Sequence, residues 1–189
     1  MPVDESVTVK GTPVRSLQKF IEAELTPEQR DAVFAKLPPE YGERFRGTVL
    51  PTETIPVHML NVWTEEAAKA KGESLESFAQ RAGREAASDG VKGIYRFLAM
   101  VLTPTALLSR GGQMWSALYN RGKLRIEEQT SGGARISLLD FPSEVPGCSR
   151  MTGWIERMAQ LTNVKDLKIE QTRCFAKGAP CCEWRITWK

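Results

Sequence analysis

Apolar residues recur at spacings of three and four through the first two-thirds of the chain, then at spacings of two in two later stretches. The first spacing marks one face of an α-helix and the second one face of a strand. Leu17, Phe20, Ile21 and Leu25 share a helical face that starts near Ser16. Thr26-Pro27-Glu28-Gln29 predicts a helix start, with Thr26 as N-cap, proline in the first turn and Gln29 reaching back. That helix carries Val33, Phe34 and Leu37 inward and stops at Pro38-Pro39. A short helix over Glu40 to Phe45 follows, and Thr48 to Pro56, with two prolines, reads as a linker. Longer helices are predicted over Val57 to Ala70, Glu73 to Ser88 and Ser88 to Leu102. Gly83, inside the second of these, costs about 1 kcal/mol relative to alanine and so predicts a close backbone approach. Thr103-Pro104 opens one more helix, bent near Gly111-Gly112 and ended by Asn120 to Gly122.

Beyond Gly122 the period becomes two. Leu124 and Ile126 alternate with polar residues, Ser131-Gly132-Gly133 turns the chain, and Ala134, Ile136 and Leu138 form the return face. Cys148 to Leu161 is again helical, on Met151, Ile155, Met158 and Leu161. A second hairpin runs from Leu167, Ile169 and Gln171 through Lys177-Gly178 to Cys182, Trp184, Ile186 and Trp188. The expected fold class is therefore α+β. A helical N-terminal two-thirds packs on a small antiparallel sheet made from two C-terminal hairpins separated by a helix. Residues 1–10 read as a flexible start, with Val7 to Val9 as a short strand, and 11–189 as a single domain.

Composition narrows the class of function. The 26 basic and 23 acidic residues are interspersed with no basic run, which argues against a nucleic-acid surface. The longest nearly uncharged apolar stretch, Phe97 to Leu108, is about half of the roughly 20 residues a spanning helix needs. With no apolar leader near Met1, the expected location is cytoplasmic. His58 is the only histidine, so a catalytic triad would have to be built on it, and no nucleophile or phosphate-loop motif accompanies it. The chain is expected not to be an enzyme.

Two constellations carry candidate chemistry. Trp63, Phe78, Tyr95, Trp115, Tyr119 and Trp154 sit on the helices and are candidates to line a ligand pocket, with ordinary core packing as the alternative. Cys148, Cys174 and Cys182 lie near the end of the chain, the last two across a turn from each other. Three thiolates supply three of the four ligands of a structural zinc, leaving the fourth to Glu170, Gln171, Cys181 or an outside group. Strand parity puts Glu170 on the face of Cys174 and Gln171 opposite, unless a bulge intervenes. Cys148 opens a helix, a position that lowers a thiol pKa.

The closing hairpin, Cys174-Phe-Ala-Lys-Gly178-Ala-Pro-Cys-Cys182, resembles the end of the 4-vinyl-reductase-type ligand-binding domain, C-x-x-x-G-x-x-x-C before alternating apolar residues. That domain shares a superfamily with TRAPP-type Golgi transport subunits and haem nitric-oxide sensors. Gly47 to Pro51, Phe78 to Glu85, Gly93 to Phe97, Thr103-Pro104 and Trp115 to Gly122 look like a stand-alone family expanded in the myxobacteria. The resemblance implies an α+β dimer built through helices. Its aromatic-sensing members imply a zinc held by three cysteines, matching Cys148, Cys174 and Cys182, and by a glutamate whose place is Gln171 here. Glu170, one residue away, is then the candidate fourth ligand. Because Gln171 removes a charged ligand, a metal-free cluster of buried thiols is the preferred outcome. No cofactor is certain, and structural zinc is the candidate. Haem would need an axial histidine that only His58 offers.

The leading reading is a TRAPP-like interaction subunit or adaptor, a homodimer acting on a protein partner not yet identified. Phe78 to Phe97 and Thr103 to Tyr119 are the candidate dimer surfaces. The alternative is a sensor that binds a small hydrophobic molecule or lipid in a helix-lined pocket. Neither nucleic acid nor a membrane span is expected.

Overall fold

The computed structural model describes residues 5–90, 104–162 and 164–189. Strand β1 (Thr8–Lys10) pairs antiparallel with β2 (Thr54–Pro56), Val9 opposite Ile55. The flexible start and the linker expected from sequence thus meet as a two-stranded ribbon. Prolines hid β2, because only Ile55 in it is buried. Helix α1 (Gly11–Glu24) buries Val14, Leu17, Phe20 and Ile21 on one side. Helix α2 (Pro27–Lys36) begins with the predicted capping box: the Thr26 hydroxyl accepts from the Gln29 amide at 3.2 Å, and Gln29 Oε1 accepts from the Thr26 amide at 3.0 Å. Helix α3 (Pro39–Arg46) follows, then α4 (Val57–Lys71), which stops at Gly72 with φ of 73°. The left-handed conformation there is open to glycine without steric cost.

Helix α5 (Leu75–Gly90) comes next, and the expected helix of residues 91–102 falls outside the described residues. Helices α6 (Pro104–Ser109) and α7 (Gly111–Leu118) meet at the predicted bend. The two C-terminal hairpins, β3 (Lys123–Thr130) with β4 (Gly133–Leu139) and β5 (Lys168–Arg173) with β6 (Cys182–Thr187), join through β4 and β6. They form one antiparallel sheet in the order β3-β4-β6-β5. Its inner face carries Ile136 opposite Trp184 and Ala134 opposite Ile186, all buried.

Helix α8 (Val145–Gln160), between the hairpins, locks sheet to helices. Trp184 Nε1 donates to Thr152 Oγ1 at 2.8 Å on its sheet side. On its other side α8 packs against α5 backbone to backbone. A Cβ on Gly83 would overlap the Arg150 carbonyl, and one on Gly153 would overlap the Gln80 carbonyl. The approach read from Gly83 is this crossing. Phe78 and Ala82, on the segment offered as a dimer surface, are buried inside the chain. No helix among the described residues is long and apolar enough to cross a membrane.

The helical layer is also tied by charge. Arg81 holds Glu24 in a bidentate pair at 2.6 and 3.0 Å, and Lys71 adds a third contact at 3.3 Å. The Arg81 hydrogen bonds hold the Glu24 carboxyl below the usual carboxylate range, against the opposing effect of partial burial. A carboxyl depressed in the folded state contributes stability above its unfolded pKa and loses it as pH falls through its folded value. Glu24→Gln is therefore expected to destabilise near neutral pH by about 1 kcal/mol or less. In acid the difference should vanish. Urea midpoints of both proteins across the acid range check this, and a difference that grows toward low pH would contradict it.

Candidate functional site

Between α1, α4, α5, α7, α8 and the inner face of the sheet lies a cavity of about 590 Å³. That is within the size range of drug-sized ligand pockets. Helix α7 ends in its aromatic wall. Tyr119, the C-cap, stacks on Trp115 with centroids 3.9 Å apart, and Phe141 meets Trp115 edge-on at 4.9 Å. Trp115 is pinned by its indole N–H, which donates to the Arg121 carbonyl at 2.9 Å. Leu138, Met151, Trp154 and Trp184 extend the apolar lining, while the exposed Arg15 and Lys19 of α1 stand at the rim. Burial raises the Tyr119 phenol pKa, so its hydroxyl stays protonated.

One charged side chain reaches the cavity wall from α8. Arg150 Nη1 donates to Thr64 Oγ1 at 2.6 Å and to the Leu60 carbonyl at 3.4 Å, and Nη2 donates to Asn61 Oδ1 at 2.7 Å. Asn61 in turn donates to Glu144 Oε1 at 2.8 Å, and Glu144 Oε2 lies 3.0 Å from His58 Nδ1. Arg150 is half-buried and is one of the residues that line the cavity. Protein still surrounds it deeply enough that desolvation lowers its pKa, against the favourable effects of Tyr119 and Glu144. His58 is outside the cavity lining.

The cavity sorts the aromatic candidates. Trp115, Tyr119 and Trp154 line it. Trp63 instead stacks on Phe45 at 4.2 Å beside a separate hollow of about 270 Å³. Phe78 is buried edge-on against Phe20 at 5.1 Å, and Tyr95 lies outside the described residues. Trp63 and Phe78 therefore lie outside the lining of the larger cavity, packed within the helical layer. Arg150 was missed. Its one sequence signal is a charged residue on a helical face shared with Gly147 and Trp154.

The three cysteines come together. Cys148 Sγ is 3.2 Å from Cys182 Sγ and 3.6 Å from Cys174 Sγ, and all three are buried. Among the described residues no carboxylate, imidazole or fourth thiol joins them. Glu170 pairs with Arg185 on the exposed outer face, whereas Gln171 pairs with Trp184 on the inner one. The register shift between Gln171 and Arg173 is the bulge that reverses the expected parity. Neither Glu170 nor Cys181, which is half-buried, joins the cluster. Within the cluster Cys148 and Cys182 share a hydrogen bond that either sulfur can donate, and it pushes the Cys148 pKa up and the Cys182 pKa down. The lowering expected for Cys148 at a helix start is outweighed by its hydrogen bond with Cys182 and by burial.

No protein-family model matches the chain and no curated protein is similar to it. Solved structures do match. A mutant H-NOX protein from K. algicida, in its unliganded Fe(II) state, gives a TM-score of 0.72 at 13% identity, over 95% of this chain and 96% of that one. An oxygen-binding H-NOX domain related to soluble guanylate cyclases gives 0.70 at 13% identity, over 95% of each chain. A third H-NOX structure, studied for haem distortion, gives 0.71 at 14% identity, again over 95% of each. At such identities the likeness establishes the fold alone.

Two expectations are corrected by these structures. The resemblance to 4-vinyl-reductase-type and TRAPP-like domains, drawn from local motifs, gives way to an H-NOX likeness over nearly the whole chain. The cofactor expectation, none certain with zinc as candidate, is overturned as well, because solved structures that this chain resembles are named for haem and none of these for zinc.

Proposed function

We propose that this chain is a sensor domain that binds a small, largely apolar molecule in the cavity between its helices and its sheet. The observation that carries this reading is the stacked aromatic wall of Trp115, Tyr119 and Phe141 beside a volume of ligand size. The H-NOX likeness supports it, since those proteins are named for an oxygen complex and for haem. Binding, rather than turnover, is the activity proposed.

Haem held through histidine does not fit these residues. The chain has one histidine, and it is engaged by Glu144 away from the cavity lining. The proposed ligand is therefore an organic molecule held by apolar contact.

Decan-1-ol is a suitable neutral probe. Calorimetric titration should show saturable binding to the purified chain. Ala86, half-buried on α5, lines the cavity, and Ala86→Trp should obstruct it while leaving the thermal transition in place. Binding should weaken about tenfold or more, equivalent to roughly 55 Å² of apolar contact at about 25 cal/mol per Å². Absence of binding to the parent protein, or unchanged binding to a folded Ala86→Trp variant, would refute the reading.

A further inference from the structure

Arg150 has capacity left over. A guanidinium carries five N–H donors. Its bonds to Thr64, Leu60 and Asn61 use Nη1 and one side of Nη2, leaving Nε–H and part of Nη2 without a partner among the described residues. No carboxylate of the described residues lies within ion-pair distance of it. Glu144, the nearest acid to act on it, spends its oxygens on His58 and Asn61. A cation so enclosed and without an ion-pair partner is costly, and an anion brought in by a ligand would offset that cost.

The geometry points to an apolar monocarboxylate as the ligand class, its carboxylate held by Arg150 and its hydrocarbon part against the Trp115–Tyr119–Phe141 wall. This rests on the cavity-binding reading above and names the chemistry of its ligand. Thr64 and Asn61 fix the guanidinium plane from one side, so the open donors form a preset fork, the geometry that matches a carboxylate bidentately. Tyr119, kept protonated by burial, adds a hydroxyl donor on the same wall. Arg15 and Lys19 outnumber Asp89, the one acid in the lining, and so bias the entrance toward anions.

Decanoate, decanamide and decan-1-ol separate these terms by titration calorimetry on the full chain. The parent protein should bind decanoate about thirtyfold or more tightly than decanamide, the scale of pairing a buried charge. In Arg150→Met that preference should disappear while decanamide binding changes little. Arg150→Lys should retain part of the preference, which a purely structural tie between α8 and α4 would not explain. Equal affinity for decanoate and decanamide in the parent protein overturns the inference even if Arg150→Met fails to fold. A preference that survives Arg150→Met but is lost in Arg15→Met or Lys19→Met also overturns it, by placing the anion at the rim. Binding of decan-1-ol without a preference for decanoate leaves the cavity reading standing and sinks this inference alone. If none of the three probes binds, both fall.

Discussion

Gly153→Val is expected to destabilise the fold by about 3 kcal/mol, the upper part of the range for overpacking. The new side chain has no space, because its first carbon would overlap the Gln80 carbonyl on α5. The atoms in the way are backbone, so relief requires moving a whole helix. Gly83→Val should cost a similar amount against the Arg150 carbonyl. Because the two substitutions disturb one crossing, the double variant should lose less than their sum. Gly147→Ala is the contrast. Its Cβ would meet only the Asn61 side chain, at 3.5 Å, an ordinary contact. Chemical denaturation midpoints check all four proteins, and a Gly153→Val variant as stable as Gly147→Ala would overturn the account of the α5–α8 contact.

Trp184→Ala should lose about 3–5 kcal/mol, as truncation of a large buried aromatic does. Trp184 is fully buried at the centre of β6, lines the cavity, and bonds Thr152 on α8. Removing it opens the sheet–helix interface and merges new space with the cavity. Trp184→Phe should cost less, because the ring contact persists and only the indole bond is lost. Thr152 would not be stranded, since its hydroxyl also donates to the Cys148 carbonyl at 3.1 Å. Thermal melting followed by circular dichroism measures the loss. Added decan-1-ol should restore part of it in Trp184→Ala if the enlarged space takes up apolar ligand. A loss below that of Trp184→Phe would contradict this assignment.

Features that depend on neighbours in sequence are legible in the chain itself. The Thr26–Gln29 capping box is a contact between residues three apart. The two hairpins follow from alternation and glycine turns, and the helix break near Gly111 from a glycine pair. The α+β class follows from the change of period after Gly122. Gly83 announces a close approach because a glycine inside a helix is unfavourable unless something needs the room. What it approaches is not legible.

Residues whose role depends on distant partners are harder to read. Trp63 and Trp115 look alike in sequence, each an aromatic on an amphipathic helix, yet one stacks in the helical layer and the other walls the cavity. Arg150 reads as an ordinary surface charge until Thr64, Asn61 and Leu60, from a helix some 90 positions earlier, enclose it. The closing-hairpin motif points to a different family from the one the whole fold resembles, because a short motif samples one hairpin and the fold samples every packing contact.

By itself the sequence determined the helices of the described residues, the hairpins, the class, and that His58 is the one histidine the chain could offer a haem. Periodicity, capping and composition are local or global sums, and they need no knowledge of what lies opposite. Only the tertiary structure decided which strand face Gln171 and Glu170 occupy, since one bulged residue before Arg173 reverses side-chain parity. It alone joined the two hairpins into one sheet, left a cavity beside Trp115 and Tyr119, and set Arg150 in its lining. A cavity is the space that long-range packing leaves unfilled, and no stretch of sequence carries that space until the elements around it have docked.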